Sequence, residues 1–239
     1  MSIASDTKSH IGMEGTREFD RDILVRCLTR YYDTLVRMGY MEESNIQHAP
    51  ASGWNDSQVD AKSYRIMGRN ETAIDLLRHL PYLKEGHDIL PNTKPIEYLG
   101  KMWDDTVSEK MANSKSLLQF YPLSPFDAEL EPGMICLTYG RNGTSWLIDT
   151  KEELIYPCGA QWDIERDQDD PPWLWHKPYA IQEYFDDLQR KLFALELIPL
   201  PYVIHKQRKG YPDELEHQVF REGEYEVRVS SFIVLLVVY

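Results

Sequence analysis

The sequence predicts an α+β fold, in which helices pack on one side of an antiparallel β-sheet. Two observations support this fold class. Residues 134–157 contain three short strand-like runs separated by two turn signals, and three amphipathic helical segments lie before and after them. A chain of 239 residues is long enough to bury a substantial core. We therefore expect a flexible N-terminal segment, residues 1–18, followed by a single α+β domain, residues 19–239.

The strand-like runs have the two-residue period of half-buried strands. The first two place strand-forming residues at every second position: Ile135, Leu137 and Tyr139, then Thr144, Trp146 and Ile148. Asn142 and Gly143 lie between these runs and predict a type I′ hairpin turn with both residues at positive φ. Residues 149–151 predict a second turn, and the run 154–156 then completes a three-stranded meander.

Three segments carry apolar residues at steps of three and four, the spacing of an amphipathic helix. The first helix is predicted over 19–38, where Gly39 suits the left-handed position that ends a helix. The second begins at Asn70, a good N-cap, and stops before Pro81. The third lies between Pro178 and Pro199. Its apolar side comprises Ile181, Tyr184, Phe185, Leu188, Leu192 and Leu195.

Four further segments have weaker or different signals. Residues 103–119 predict a fourth helix, residues 163–172 form an acidic surface segment, and residues 225–229 alternate as a strand. The run 232–239 consists of eight apolar residues. A membrane span needs roughly 20, so this run predicts a buried strand.

Composition and charge limit the classes of function. The formal net charge is −13, and contacts to phosphates require clustered lysine and arginine, so nucleic acid is not an expected partner. Three cysteines without Cys-x-x-Cys spacing predict neither a disulfide framework nor a zinc site. The first 18 residues lack the apolar core of a secretory signal. We expect a cytoplasmic protein without cofactor, metal or membrane partner.

No residue set matches a known catalytic motif, so the catalytic residues, if any exist, are unknown from the sequence. The chain contains no His-Glu-x-x-His, no Gly-x-Ser-x-Gly and no phosphate-binding loop. The acidic segment places carboxylates at alternate positions from Asp163, as a calcium loop does. However, Gln168 stands where that loop requires glycine, and Leu174 stands where it requires glutamate. A solvated acidic loop is the better interpretation.

Three stretches of the chain resemble a group of uncharacterised fungal proteins. These are residues 76–83, residues 137–143 (Leu-Thr-Tyr-Gly-Arg-Asn-Gly) and residues 146–150 (Trp-Leu-Ile-Asp-Thr). That group is similar, more distantly, to the SUKH superfamily, the domain of the cell-wall assembly regulator and of bacterial toxin-immunity proteins. The resemblance covers residues 19–157. It implies an α+β domain with a curved antiparallel sheet that binds other proteins and does not catalyse a reaction.

Two groups of residues are candidates for a binding surface: Tyr139, Arg141, Trp146 and Asp149 in the hairpin, and Trp162, Trp173 and Trp175 around the acidic segment. The tryptophans either form an exposed binding surface or cover the open face of the sheet.

Two functions from different classes remain open. The first is a non-catalytic module that binds another protein, and the second is a small enzyme of specialised metabolism with an enclosed apolar pocket. A closed pocket with convergent polar groups would favour the enzyme. A filled sheet face beside an exposed aromatic patch would favour the binding module.

Overall fold

The computed structural model of the chain describes residues 19–84, 87–102, 125–126, 128–140, 142–159 and 170–199, and the backbone of 232–234. The predicted N-terminal segment, the predicted fourth helix and the predicted strand at 225–229 lie outside the described residues. The acidic segment lies outside them as well, except for its last three residues, 170–172.

Helix α1 (Arg21–Arg37) confirms the first predicted helix. Asp20 caps its start, because its carboxylate accepts a hydrogen bond from the amide of Asp22. At its end Gly39 has φ of 72°. The amide of Tyr40 donates to the carbonyl of Leu35 (3.0 Å), which closes the expected glycine-terminated cap.

Helices α2 (Ala61–Ile66) and α3 (Glu71–His79) follow one another closely. Asp60 caps α2 by accepting from the amide of Ser63, and Asn70 caps α3 by accepting from the amide of Ala73. Helix α3 confirms the second predicted helix. Helix α2 was not predicted, because six residues are too few to show a helical period.

Helix α4 (Ile181–Phe193) confirms the third predicted helix, with one correction. Leu195 was expected on its buried side but is exposed. The helix ends before this residue is reached. Leu195 adopts φ of 58°, and the amide of Glu196 donates to the carbonyl of Lys191 (2.9 Å). The left-handed backbone turns the Leu195 side chain away from the apolar stripe.

The main sheet is antiparallel and contains four strands: β4 (Met134–Cys136), β6 (Thr144–Asp149), β7 (Leu154–Gly159) and β8 (Tyr179–Ala180). They lie side by side in this order. The longest ladder joins β6 to β7, from the pair Thr144–Gly159 to the pair Asp149–Leu154. The predicted meander is confirmed.

The first strand of the meander ends earlier than predicted. Strand β5 (Thr138–Tyr139) leaves the main sheet and pairs with β3 (Lys94–Pro95). The side chain of Thr138 interrupts the ladder to β6. Its hydroxyl donates to the carbonyl of Thr144 (2.8 Å) and accepts from the amide of Trp146 (2.7 Å), so it replaces backbone hydrogen bonds there.

The turn between β5 and β6 also differs from the predicted type I′ turn. Asn142 has φ of 61°, as expected, but Gly143 is not at positive φ. The amide of Gly143 donates to the carbonyl of Gly140 (3.1 Å) and closes a turn over residues 140–143. The prediction for Gly143 is wrong because a neighbouring loop, and not the hairpin alone, determines the conformation here.

Two further small sheets complete the described strands. Strand β1 (Ile46–Gln47) pairs with β2 (Tyr82–Leu83), and β9 (Leu197–Pro199) pairs with β10 (Phe232–Val234). The apolar C-terminal run therefore does form a strand over Phe232–Val234, and this strand pairs with β9 of the same chain.

Helices α1 and α4 cover one face of the main sheet. The ring of Trp146 lies 5.9 Å from that of Tyr31 in α1 and 5.2 Å from that of Phe185 in α4, in edge-to-face arrangements. Ile148 is fully buried and shares this face with Trp146. Leu147, which points to the opposite face, is fully buried too.

The arrangement is an α+β fold with antiparallel sheets, as the sequence predicts. Of the helices formed by the described residues, none has the length and apolar character that crossing a membrane requires.

Candidate functional site

The structure does not bring the predicted hairpin residues together on one surface. Trp146 has an exposed fraction of 0%. Its indole N–H donates to the hydroxyl of Tyr184 (2.7 Å), so its polar atom is satisfied inside the protein. Trp146 is therefore a core residue, and we set aside its predicted role as a binding residue.

Asp149 lies at the far end of β6 and also has a local role. It is three residues from Trp146, or roughly 10 Å along the strand, and points to the other face. Its exposed fraction is 7%, and its carboxylate accepts from the amides of Lys151 (2.8 Å) and Glu152 (3.2 Å). These hydrogen bonds form the turn between β6 and β7, which explains why an aspartate is found here.

Tyr139 is half-buried and lies opposite Lys94 in the ladder between β5 and β3. Arg141 lies outside the described residues, and so does Trp162 of the second predicted group. Of the three hairpin candidates that the structure describes, Trp146 and Asp149 are buried, and only Tyr139 is partly exposed to solvent.

The remaining tryptophans lie on one turn of 3₁₀ helix, Pro172–Trp175. Trp173 has an exposed fraction of 6% and Trp175 is half-buried. Leu174 between them is 51% exposed. Trp173 is thus buried against the ring of Phe126, while Leu174 and Trp175 present apolar surface to solvent. We call these two side chains the Leu174 surface.

Contacts on the inner side hold this turn in place. The ring of Phe126 lies 6.5 Å from that of Trp173 and 6.1 Å from that of His176, which is also buried. The amide of Leu174 donates to the carbonyl of Pro171 (2.9 Å), and the amide of His176 donates to that of Trp173 (3.1 Å). Leu174 is therefore displayed by an anchored segment.

A second exposed apolar pair lies at the end of α4. Phe193 is 69% exposed and Leu195 is 55% exposed. We call these two side chains the Phe193 surface.

Sequence analysis did not identify Leu174 or Phe193 as surface residues. At 100° per residue, Phe193 lies roughly 130° from the centre of the apolar stripe of α4, so its position off the stripe was a usable signal. For Leu174 no such signal exists, because one turn of 3₁₀ helix has no measurable period.

The cysteines are unsuited to nucleophilic chemistry. Burial raises the pKa of the Cys136 thiol to about 12 and also raises the pKa of the Cys158 thiol. All three cysteines are free and buried. Because the thiolate is the reactive form, these thiols are inert at neutral pH. Cys136 and Cys158 cannot form a disulfide in the folded state, since β6 separates their strands by roughly 9–10 Å.

Within the part of the chain that the structure describes, no three or more histidine, cysteine or acidic side chains cluster in a way that could hold a metal ion.

A cavity lies between α1, the start of β2 and the hairpin, where Tyr32, Thr138 and Trp146 contribute to its wall. Its volume is about 10 Å³. A single water molecule needs about that much space, so the cavity is far smaller than a substrate pocket.

Comparisons of the chain with family models, with curated proteins and with solved structures find no match. The resemblance to the SUKH superfamily stays a prediction.

Proposed function

We propose that this protein is a non-catalytic interaction module that binds a partner protein through the Leu174 surface. The observation that carries the proposal is the 51% exposure of Leu174 on a turn whose neighbours Trp173 and His176 are buried. Protein interfaces are enriched in aromatic side chains, which favours the place where Leu174 is exposed beside Trp175.

The anchored geometry makes this surface efficient for binding. Association has a cost for each side chain and loop that must be ordered in the complex. The contacts of Phe126 with Trp173 and His176 order this turn before any partner arrives. More of the free energy of burying Leu174 and Trp175 is then available for affinity.

The edges of the main sheet favour a side-chain surface over binding by strand addition. At the β4 edge, Arg69 donates to the carbonyl of Met134 (2.7 Å), and the Tyr98 hydroxyl donates to the carbonyl of Cys136. An added strand would have to displace these donors.

At the other edge of the sheet, β8 covers only Leu154 and Ile155 of β7. The rest of β7 forms the edge there, and it too is protected from an added strand. The amide and carbonyl of Trp146 both point towards β4 and β5, so the opposed Pro157 turns its backbone outward. Proline has no amide hydrogen to offer an incoming strand, and this edge is protected as well.

The chemistry of the interior supports binding over catalysis. The thiols are inert, and the cavity beside Tyr32 gives no support to the alternative of an enzyme with an enclosed apolar pocket. The resemblance to SUKH domains is consistent with a binding role. Three free cysteines are usual in a reducing compartment, which supports placing this activity in the cytoplasm.

The test compares capture of a partner by the wild-type protein and by Leu174→Asp. The two exposed surfaces supply a matched control, Phe193→Asp, which also replaces an exposed apolar side chain by a carboxylate. Partners retained by each purified, tagged protein are identified by mass spectrometry, and the affinity of the main partner is then measured with purified components. We expect Leu174→Asp to weaken binding by about tenfold or more and Phe193→Asp to leave it unchanged.

Equal affinity of Leu174→Asp and the wild type would contradict the proposal. Thermal unfolding of each variant shows that the fold is retained, since a substitution at an exposed site away from caps and core changes stability by only about ±0.5 kcal/mol.

A further inference from the structure

The turn between β5 and β6 places an asparagine directly before a glycine. Asn142 is exposed to solvent and has φ of 61°, and Gly143 is half-buried. No side chain on Gly143 shields its backbone nitrogen from the side chain of Asn142. Elsewhere in the chain each asparagine is followed by a residue larger than glycine. An electrophilic carbonyl carbon and a nitrogen nucleophile are therefore neighbours in the chain at a place that water reaches.

We propose that Asn142 is a site of spontaneous deamidation, and that packing of the loop at residues 92–93 on the turn controls its rate. In this reaction the amide nitrogen of Gly143 loses its proton and attacks Cγ of Asn142. A bond forms between these two atoms, the bond from Cγ to the side-chain nitrogen breaks, and that nitrogen leaves as ammonia with the proton from Gly143. One water molecule then opens the five-membered imide at either of its carbonyl carbons, which leaves aspartate or isoaspartate.

The folded turn restrains the nucleophile. The amide of Gly143 donates to the carbonyl of Gly140 (3.1 Å), so the proton that must be lost is held in a hydrogen bond. The next amide, that of Thr144, donates to the hydroxyl of Thr93 (2.8 Å) and ties the turn to the loop. Ring closure therefore requires the turn to open locally, and the frequency of that opening sets the rate.

The turn also has no space for the isoaspartate product. A Cβ atom added to Gly143 would lie 2.2 Å from the carbonyl oxygen of Asn92 and 2.8 Å from the hydroxyl oxygen of Thr93. Isoaspartate routes the main chain through the former side chain and lengthens it by one carbon atom. The loop must move to admit this longer turn, so the modified protein should unfold at a lower temperature than the unmodified one.

Asn92 provides an internal comparison. It also has positive φ, 53°, but the residue after it is Thr93, whose β-branched side chain crowds the backbone nitrogen. That nitrogen donates to the carbonyl of Leu90 (3.0 Å), and Thr93 is fully buried. We expect Asn92 to keep its amide while Asn142 is converted. This inference goes beyond the proposed function, because it concerns a different site and needs no partner.

The test follows the purified full chain during long incubation at neutral and at mildly alkaline pH. Mass spectrometry of proteolytic peptides measures the conversion of amide to acid at each asparagine, and chromatography separates the isoaspartate peptide from the aspartate peptide. We expect conversion at Asn142, faster at the higher pH because the amide nitrogen must lose its proton. Conversion should be faster still in urea, where the turn is open.

A variant of the loop tests control by packing. Thr93→Val removes the hydroxyl that accepts from Thr144, and we expect Asn142 to be converted roughly fivefold faster, the effect of losing about one hydrogen bond. Leu77→Ala is the control, because it destabilises the core without changing a residue of the turn or the loop, and it should leave the rate unchanged. In urea all three proteins should react at the same rate.

Two results would overturn the site itself: an Asn142 that stays intact in the folded protein while the unfolded chain is converted, or equal conversion of Asn92. Folded Thr93→Val that reacts at the wild-type rate would overturn control by the loop. So would acceleration in Leu77→Ala that matches its loss of stability, since the reaction would then require global unfolding. These outcomes are independent of partner capture by Leu174→Asp.

Discussion

At the scale of single residues, the hairpin shows how packing against a loop distant in sequence can require glycine at a position. A Cβ atom added to Gly140 or to Gly143 would lie 2.8 Å from the carbonyl carbon of Asn92, and closer still to its oxygen. The amide of Thr144 also donates to the hydroxyl of Thr93 (2.8 Å). The loop at residues 92–93 therefore packs directly on the turn, and there is no space for side chains.

Because the loop at Asn92 leaves no space here, glycine is required at this turn for steric reasons and not because of a positive φ. Gly140→Ala should destabilise the protein by about 1–3 kcal/mol, because the loop at Asn92 must move to admit the methyl group. The matched control is Gly159→Ala, where a Cβ atom meets nothing within 4 Å. Chemical denaturation measures both. A free energy of unfolding for Gly140→Ala that equals that of Gly159→Ala would show that the loop yields without cost.

Sequence reasoning succeeded at residues whose role is local. The caps at Gly39 and Asn70 and the positive φ of Asn142 follow from the chemistry of a few neighbouring residues. Gly143 was misjudged because its constraint comes from Asn92, about fifty residues earlier in the chain. Leu195 was misjudged because the helical period continues past the point where the helix ends.

At the scale of elements, α3 offers a direct test of a core prediction. Leu77 is fully buried between Ile74 and Leu80, which are buried as well. Leu77→Ala should lower the free energy of unfolding by about 2–5 kcal/mol, through the lost transfer energy and the cavity that remains. Thr72→Ala, on the exposed side of the same helix, is the control and should stay within about ±0.5 kcal/mol. A denaturation midpoint for Leu77→Ala that matches the control would remove Leu77 from the core.

The elements that could be predicted are those with a period of their own. Helices α1, α3 and α4 and the strand β6 carry such a pattern over at least six residues, whereas β7 was predicted only from the short apolar run 154–156 that follows a turn. Strands β3 and β5 are two residues long, and their pairing joins Lys94 to Tyr139. No local pattern encodes a contact across that distance, so the sequence could not show that β5 leaves the main sheet.

At the scale of the whole molecule, the candidate site was harder to predict than the fold. Aromatic residues were chosen as binding candidates, but Trp146 is fully buried and Trp173 is only 6% exposed, because large rings fill a core effectively. The two exposed apolar surfaces rest on Leu174, Phe193 and Leu195. The exposure of Leu174 depends on which side of its short turn faces the interior, a property of the tertiary structure, whereas the position of Phe193 off the apolar stripe of α4 could have been read from the sequence.

The interior also holds many tyrosines in their neutral form. Burial raises the pKa of Tyr31, Tyr82 and Tyr98 well above 10.0, and it raises the pKa of Tyr32 and Tyr64 as well. The Tyr31 hydroxyl donates to the carbonyl of Ile89 and the Tyr82 hydroxyl donates to that of Leu77 (2.6 Å). In the unfolded chain these groups ionise near their ordinary values, so the folded state retains protons that the unfolded state loses.

Stability should therefore fall steeply at alkaline pH. A group whose pKa is raised on folding contributes fully below its unfolded pKa, and the contribution is lost as pH rises above that value. The loss begins near pH 9 with the thiols of Cys136 and Cys158 and grows above pH 10 with the tyrosines. Each group adds a slope of about 1.4 kcal/mol per pH unit.

Tyr32→Phe removes one such group, for which burial alone raises the pKa, and should reduce the slope by that amount. Denaturation at several pH values, followed together with the absorbance of tyrosinate, measures the slope. Ionisation of these tyrosines near pH 10 without unfolding would show that water reaches the core around Tyr31 and Trp146.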